Sequence, residues 1–109
     1  MTFRVVLTDE ARRNAREIRD WLSERSASGA ERWVGALEDA IARLEKNPFL
    51  FSLAPENEYS EQELRNALFK TPRGRVYRAI FYVTENTVTV THIRGPGQRA
   101  LPAEELRDI

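Results

Sequence analysis

Cysteine is absent from the chain, and histidine occurs once, as His92. The first absence excludes disulfide frameworks, thiol nucleophiles and cysteine-type zinc sites. The second excludes a histidine-rich metal centre, so no metal or cofactor is expected. No apolar run approaches the roughly 20 residues that span a bilayer. The N-terminus, Met1-Thr2-Phe3-Arg4-Val5, lacks the basic region and long apolar stretch of a signal peptide. A cytoplasmic protein without membrane contact is the expectation. Glycine and proline are sparse, five of each in 109 residues, and there is no repeat or low-complexity tract. Gly95-Pro96-Gly97-Gln98 is not a phosphate loop, because it lacks the Gly-x-x-x-x-Gly-Lys-Ser/Thr pattern. No Gly-x-Ser-x-Gly elbow accompanies His92, so a hydrolase triad is not supported.

An excess of charge of one sign is missing too. The 17 Lys and Arg balance the 17 Asp and Glu. With a sequence pI of about 6.6, this argues against a dedicated nucleic-acid binder. The balance hides an asymmetry. Residues 1–63 carry 9 basic and 13 acidic side chains, whereas residues 64–109 carry 8 basic and 4 acidic. Within 65–99 the cations Arg65, Lys70, Arg73, Arg75, Arg78, Arg94 and Arg99 face Glu85 alone. A basic surface of this kind attracts nucleic acid, an acidic protein segment or an acidic helix; the plainer reading is a sheet edge protected by charge.

What is present reads as one domain, residues 1–109, of α+β class in the order β-α-α-β-β-β. Phe3–Leu7 is a β-prone run. Thr8 then caps a helix whose first turn carries Asp9 and Glu10. Ala11, Ala15, Ile18 and Leu22 recur at helical spacing, and the helix is expected to run to Glu24 or Arg25. Trp21 and Trp33 are read as core residues. Ser28 and Glu31 match a capping box for a second helix, along which Ala30, Trp33, Val34, Leu37, Ala40, Ile41 and Leu44 line one face. Asn47-Pro48 ends it, and the short break makes the helices an antiparallel hairpin. Phe49–Ser60 is read as a loop with apolar anchors, and a helical turn at Glu61–Arg65 is an alternative to the start of the next strand. Leu64–Thr71, Val76–Thr84 and Thr87–Ile93 read as strands of a small antiparallel sheet that the first strand joins beside an undetermined neighbour. Pro102 opens a short C-terminal helix, with acids in its first turn.

A two-residue turn at Glu85-Asn86 predicts the pairs Val83–Val88, Phe81–Val90, Ala79–His92 and Tyr77–Arg94 on one face buried by the helices. His92 is then a core or edge histidine. Arg78, Ile80, Tyr82, Thr89, Thr91 and Ile93 line the opposite face, expected to be open to water or a partner. Guanidinium groups fork onto phosphates and stabilise charge in a phosphoryl-type transition state, so the basic set Lys70, Arg73, Arg75, Arg78, Arg94 and Arg99 is the candidate surface for binding a target anion or an acidic peptide. The acid–base candidates, Tyr77, Tyr82 and His92, do not by themselves establish catalysis.

Several stretches together resemble the RelE/ParE toxin superfamily of bacterial toxin–antitoxin modules, which includes proteins described as plasmid stabilisation proteins. They are Phe3-Arg4-Val5-Val6-Leu7-Thr8 with Ala11, Ala30-Glu31-Arg32-Trp33, the second helix to Leu44 and Pro48, Leu64-Arg65, Val76–Val83, and Val90-Thr91-His92-Ile93-Arg94 with Gln98-Arg99. The resemblance implies a growth-inhibiting toxin in a hetero-oligomer with a cognate antitoxin that wraps it. Members that cut messenger RNA on the ribosome use sheet arginines and often a C-terminal aromatic or histidine. Arg78 matches the arginine of their Tyr-Arg strand motif, Arg99 lies near their later arginine and Lys70 near their lysines. The catalytic residues stay unassigned, with Arg78, Arg99 and His92 as the candidates. Leu101–Ile109 has no aromatic where some of those members carry a tyrosine. Members that poison DNA gyrase need no such set. Gyrase is thus the expected target, with a ribosome-dependent endoribonuclease as the alternative and a non-catalytic binding module of the same fold as a third reading.

Overall fold

The computed structural model describes residues 2–106. Met1 and residues 107–109, the ends of the expected 1–109 domain and of its C-terminal helix, lie outside the described residues. The element order is β1 (Arg4–Leu7), α1 (Asp9–Ser23), α2 (Ala27–Lys46), β2 (Arg65–Phe69), β3 (Tyr77–Thr84) and β4 (Thr87–Arg94). Short 3-10 turns stand at Pro48–Leu50, Pro55–Tyr59 and Ala103–Leu106. The first two shape the expected loop at Phe49–Ser60, no helical turn forms at Glu61–Arg65, and the last one is the described part of the C-terminal helix.

Thr8 caps α1 as its sequence demands, its hydroxyl accepting from the Ala11 N–H at 3.1 Å. The capping box at Ser28 does not form. Ser26 caps α2 instead, accepting from the Gly29 N–H at 3.0 Å, which leaves Ser28 inside the first turn. The three-residue link Glu24–Ser26 turns the chain so that α1 and α2 pack together over one face of the sheet.

The sheet has the order β1-β4-β3-β2. β2, β3 and β4 are antiparallel as expected, and β1 adds to β4 in parallel, making the sheet mixed. A parallel neighbour requires a crossover, and the α1–α2 hairpin followed by β2 and β3 supplies it. Between sheet and helices lie Ala11, Trp33, Leu37, Ala40, Leu44, Phe69, Phe81, Val88 and Val90, all buried, with Ile18, Leu22, Ile41 and Val83 partly buried beside them. Trp21 departs from its expected place and is 53% exposed. It stands on the margin of the Ala11–Ala15–Ile18–Leu22 stripe, and the Arg25 guanidinium stacks on its ring, 3.6 Å from the centroid. Among the expected loop anchors, Phe49, Leu50 and Leu53 are exposed and Phe51 half-buried.

The β3–β4 hairpin begins in the expected register, with Val83 opposite Val88 and Phe81 opposite Val90, around a turn in which Glu85 takes a φ of 55°. It then slips. Ile80 lies opposite His92, so Thr91 is the extra residue of a β-bulge. The pairs beyond it are Ala79–Ile93 and Arg78–Arg94, not Ala79–His92 and Tyr77–Arg94. Since alternate residues face opposite sides, the slip moves Ile93 into the core and His92 and Arg94 to the other face.

That other face is covered, contrary to expectation. Ile80, Ala54, Leu64, Leu101 and Leu106 form a second buried cluster, with Tyr82 packed against it. The segment Leu53–Tyr59 and the chain after Gly97 fold over the sheet, because Ile80 and Leu64 offer apolar surface that these leucines remove from water.

Candidate functional site

The candidate cations separate into two groups. Lys70, Arg73 and Arg75 are exposed in the β2–β3 connection. The turn at Thr71–Gly74 is closed by the Gly74 N–H donating to the Thr71 carbonyl at 3.0 Å. It faces the α1–α2 link across a cleft of about 630 Å³. Trp21, Trp33 and Tyr77 furnish its aromatic lining, and Arg25, Arg32, Arg73 and Arg75 its charge. Arg25, in the α1–α2 link, and Arg32, on α2, are not among the candidate cations because they sit in the acidic half of the chain. The helical hairpin brings them opposite the basic turn. No carboxylate lines this cleft among the described residues, so it is suited to acidic groups flanking an apolar anchor.

Arg78 and Arg94 belong to the second group, on the outer face of the sheet. Arg78 is engaged within the protein. Its Nη1 donates to Glu56 Oε1 at 2.9 Å and its Nη2 to Glu56 Oε2 at 2.6 Å. Nη1 also reaches Asn66 Oδ1 at 3.3 Å. Glu56 is fully buried and accepts a further bond from the Leu101 N–H at 2.8 Å. Burial opposes ionisation of Glu56. The bonds from Arg78 and Leu101 and the charge of Arg78 outweigh it and bring the carboxyl from 4.5 down to about 2. A forked pair of this kind fixes geometry on both sides: Glu56 holds the Pro55–Tyr59 turn, and Leu101 holds the C-terminal chain, whose carbonyl also accepts from the Tyr59 hydroxyl. Arg94 donates from Nη2 to the Arg99 carbonyl at 2.6 Å, while the Arg99 side chain itself is exposed.

His92 lies apart from the basic cleft. With Tyr82 it lines a second cleft, whose walls also carry Glu10, Glu104 and Glu105. Burial lowers the imidazole pKa below 6.5, Arg94 adds to that, and Glu105 and Glu56 oppose it. The ring is therefore neutral near pH 7. The three residues with a conceivable catalytic role are thus separated in chemistry: Arg78 is bonded to Glu56, Arg99 is exposed, and His92 faces carboxylates. The bulge brings His92 and Tyr82 together, which the uninterrupted register had kept on opposite faces.

Among the described residues no helix is long and apolar enough to cross a membrane, and no cluster of His, Asp and Glu could hold a metal ion. A family model described as the ParE toxin of type II toxin–antitoxin system, parDE, matches residues 5–99. That span contains the basic cleft, both helices and, but for Arg4, all four strands. No curated protein matches the chain.

Proposed function

The chain belongs to the ParE toxin family of type II toxin–antitoxin systems, and from that premise we propose that it inhibits DNA gyrase by binding it and is neutralised by a cognate antitoxin. The observation that supports a binding mechanism is the separation of charge from proton-transfer chemistry. Cleavage of RNA needs cations at the scissile phosphate together with a group that gives or takes a proton near neutral pH. The unengaged cations Arg73 and Arg75 line a cleft without a histidine or carboxylate, and the neutral His92 lines one with Glu10, Glu104 and Glu105. Guanidinium stays charged near neutral pH and does not substitute for the missing acid or base.

The basic aromatic cleft is the surface through which we propose that the toxin meets its antitoxin. Four arginines around Trp21, Trp33 and Tyr77 complement an amphipathic segment with acidic flanks, disordered when free and ordered on binding. Charge of this kind accelerates encounter and orients it.

Purified gyrase supercoiling assayed with added protein, beside translation of a defined messenger on purified ribosomes, tests the proposal. Supercoiling is expected to fall with protein concentration and recover when the antitoxin is added, with no messenger cuts. Position-specific cuts in the ribosomal A site, with supercoiling untouched, would overturn it in favour of the endoribonuclease.

A further inference from the structure

The basic aromatic cleft contains one donor that the protein leaves unused. Trp33 stands on its wall and is only 3% exposed. Phe69 and Tyr77 pack against its ring, with centroids 5.8 and 5.5 Å away. The indole Nε1–H is buried and finds no acceptor among the described residues. An indole nitrogen only donates, and a buried donor without an acceptor is unfavourable. Buried tryptophans ordinarily set that group against a partner.

The charged groups around it favour an anion. Ser26 and Gly29 bring the N-terminal end of α2 to the cleft, and the first turn of this 20-residue helix holds no acid to offset its dipole. Arg32, Arg73 and Arg75 stand at the same cleft and make no ion pair with any described residue. Arg25 is placed differently. Its guanidinium lies on the Trp21 ring, and its Nη1 donates to the Trp21 carbonyl at 2.8 Å. One face of the exposed indole is therefore taken, and the other indole is buried. A nucleic-acid strand needs open ring faces on which successive bases stack, whereas an acidic peptide segment does not.

We infer that the antitoxin segment seats an apolar side chain in this cleft with a carboxylate beside it, so that one oxygen of the segment accepts from Trp33 Nε1–H while the carboxylate lies against Arg32, Arg75 and the start of α2. Trp21, Leu22 and Pro72 furnish the apolar walls. Guanidinium groups take a carboxylate in two-point contact, whereas the indole offers a single donor. The arginines are exposed and the indole is buried. The arginines therefore supply attraction, and Trp33 sets the depth and register at which the segment stops. This seating presupposes that the cleft is the antitoxin surface, and it adds Trp33 as a residue that determines which segment fits.

The chain has two tryptophans, so the indole region of a ¹H–¹⁵N spectrum holds two signals, and W21F identifies that of Trp33. The full chain is titrated with the antitoxin encoded beside it and, separately, with oligothymidylate. The antitoxin is expected to move the Trp33 indole proton downfield, because the N–H gains an acceptor. R32Q combined with R75Q, two exposed positions, is expected to weaken antitoxin binding about tenfold or more without moving the melting transition. W33F keeps an aromatic ring, removes the N–H and is expected to weaken binding about tenfold; the indole shift of the wild type tests the same contact whether or not that variant folds. A complex in which the Trp33 signal stays in place, or an R32Q/R75Q variant that binds as tightly as the wild type, would overturn this seating and leave the toxin–antitoxin reading intact. Absence of any complex with the antitoxin would overturn that reading and the seating with it. A downfield shift with oligothymidylate would overturn the polypeptide occupant.

Discussion

Replacing Arg78 by Ala removes the partner of a carboxylate that has no access to water. Glu56 is fully buried, and the Arg78 side chain itself is 16% exposed. Breaking such a pair from one side typically costs about 3–5 kcal/mol, because the charge left behind is uncompensated. The pH dependence of the intact protein checks the same interaction independently. The Glu56 carboxyl titrates at about 2 in the fold against 4.5 otherwise, so the unfolded chain binds its proton first as the pH falls. The resulting stabilisation, about 3 kcal/mol at 1.36 kcal/mol per unit, is fully present above pH 4.5 and is lost progressively as the pH falls towards 2. Urea unfolding of the wild type, R78A and E56Q at pH 7 and pH 3 measures both quantities. R78A is expected to lose 3–5 kcal/mol at pH 7. E56Q is expected to flatten the acid slope. Replacing both residues with apolar side chains is expected to recover part of the loss, since well-packed substitutes for a buried pair are often neutral. An R78A variant within about 1 kcal/mol of the wild type, or an acid slope unchanged in E56Q, would refute the reasoning. A loss of toxicity in R78A therefore reports on folding before it reports on recognition.

Leu44→Ala, at a fully buried position, is expected to cost about 2–5 kcal/mol in denaturant unfolding, while Trp21→Ala, half exposed, is expected to cost about 1 kcal/mol or less. Arg73→Glu with Arg75→Glu is expected to leave the melting temperature unchanged and to weaken antitoxin binding, with a reduced dependence of the association rate on salt. An NMR titration of His92 is expected to give a pKa below 6.5, because burial disfavours the imidazolium. Stability should accordingly fall as the pH drops below 6.5, where the unfolded chain takes up the proton more readily, and H92F is expected to lose that segment of the pH profile.

The amino-acid sequence by itself determined the elements and their order, because those signals are local. Thr8 caps α1, the stripe Ala30–Trp33–Leu37–Ala40–Leu44 makes one face of α2, and the tight Glu85-Asn86 turn sets the first pairs of the β3–β4 hairpin. The same local order carried the family resemblance. What only the tertiary structure decided depends on groups far apart in the chain. The Thr91 bulge is held by Thr8 and Asn14, 83 and 79 residues away from their partners. Without those bonds in view, strict alternation assigns His92 to the core and leaves the second cleft unseen. Arg78 reads as a free cation until the chain folds Glu56, 22 residues earlier, against it. The basic cleft likewise needs the α1–α2 link to set Arg25 and Arg32 across from Arg73 and Arg75. Side-chain period and capping are properties of neighbouring residues, whereas the partner of a buried charge and the register beyond a bulge are set by whichever distant groups the fold brings within hydrogen-bond reach.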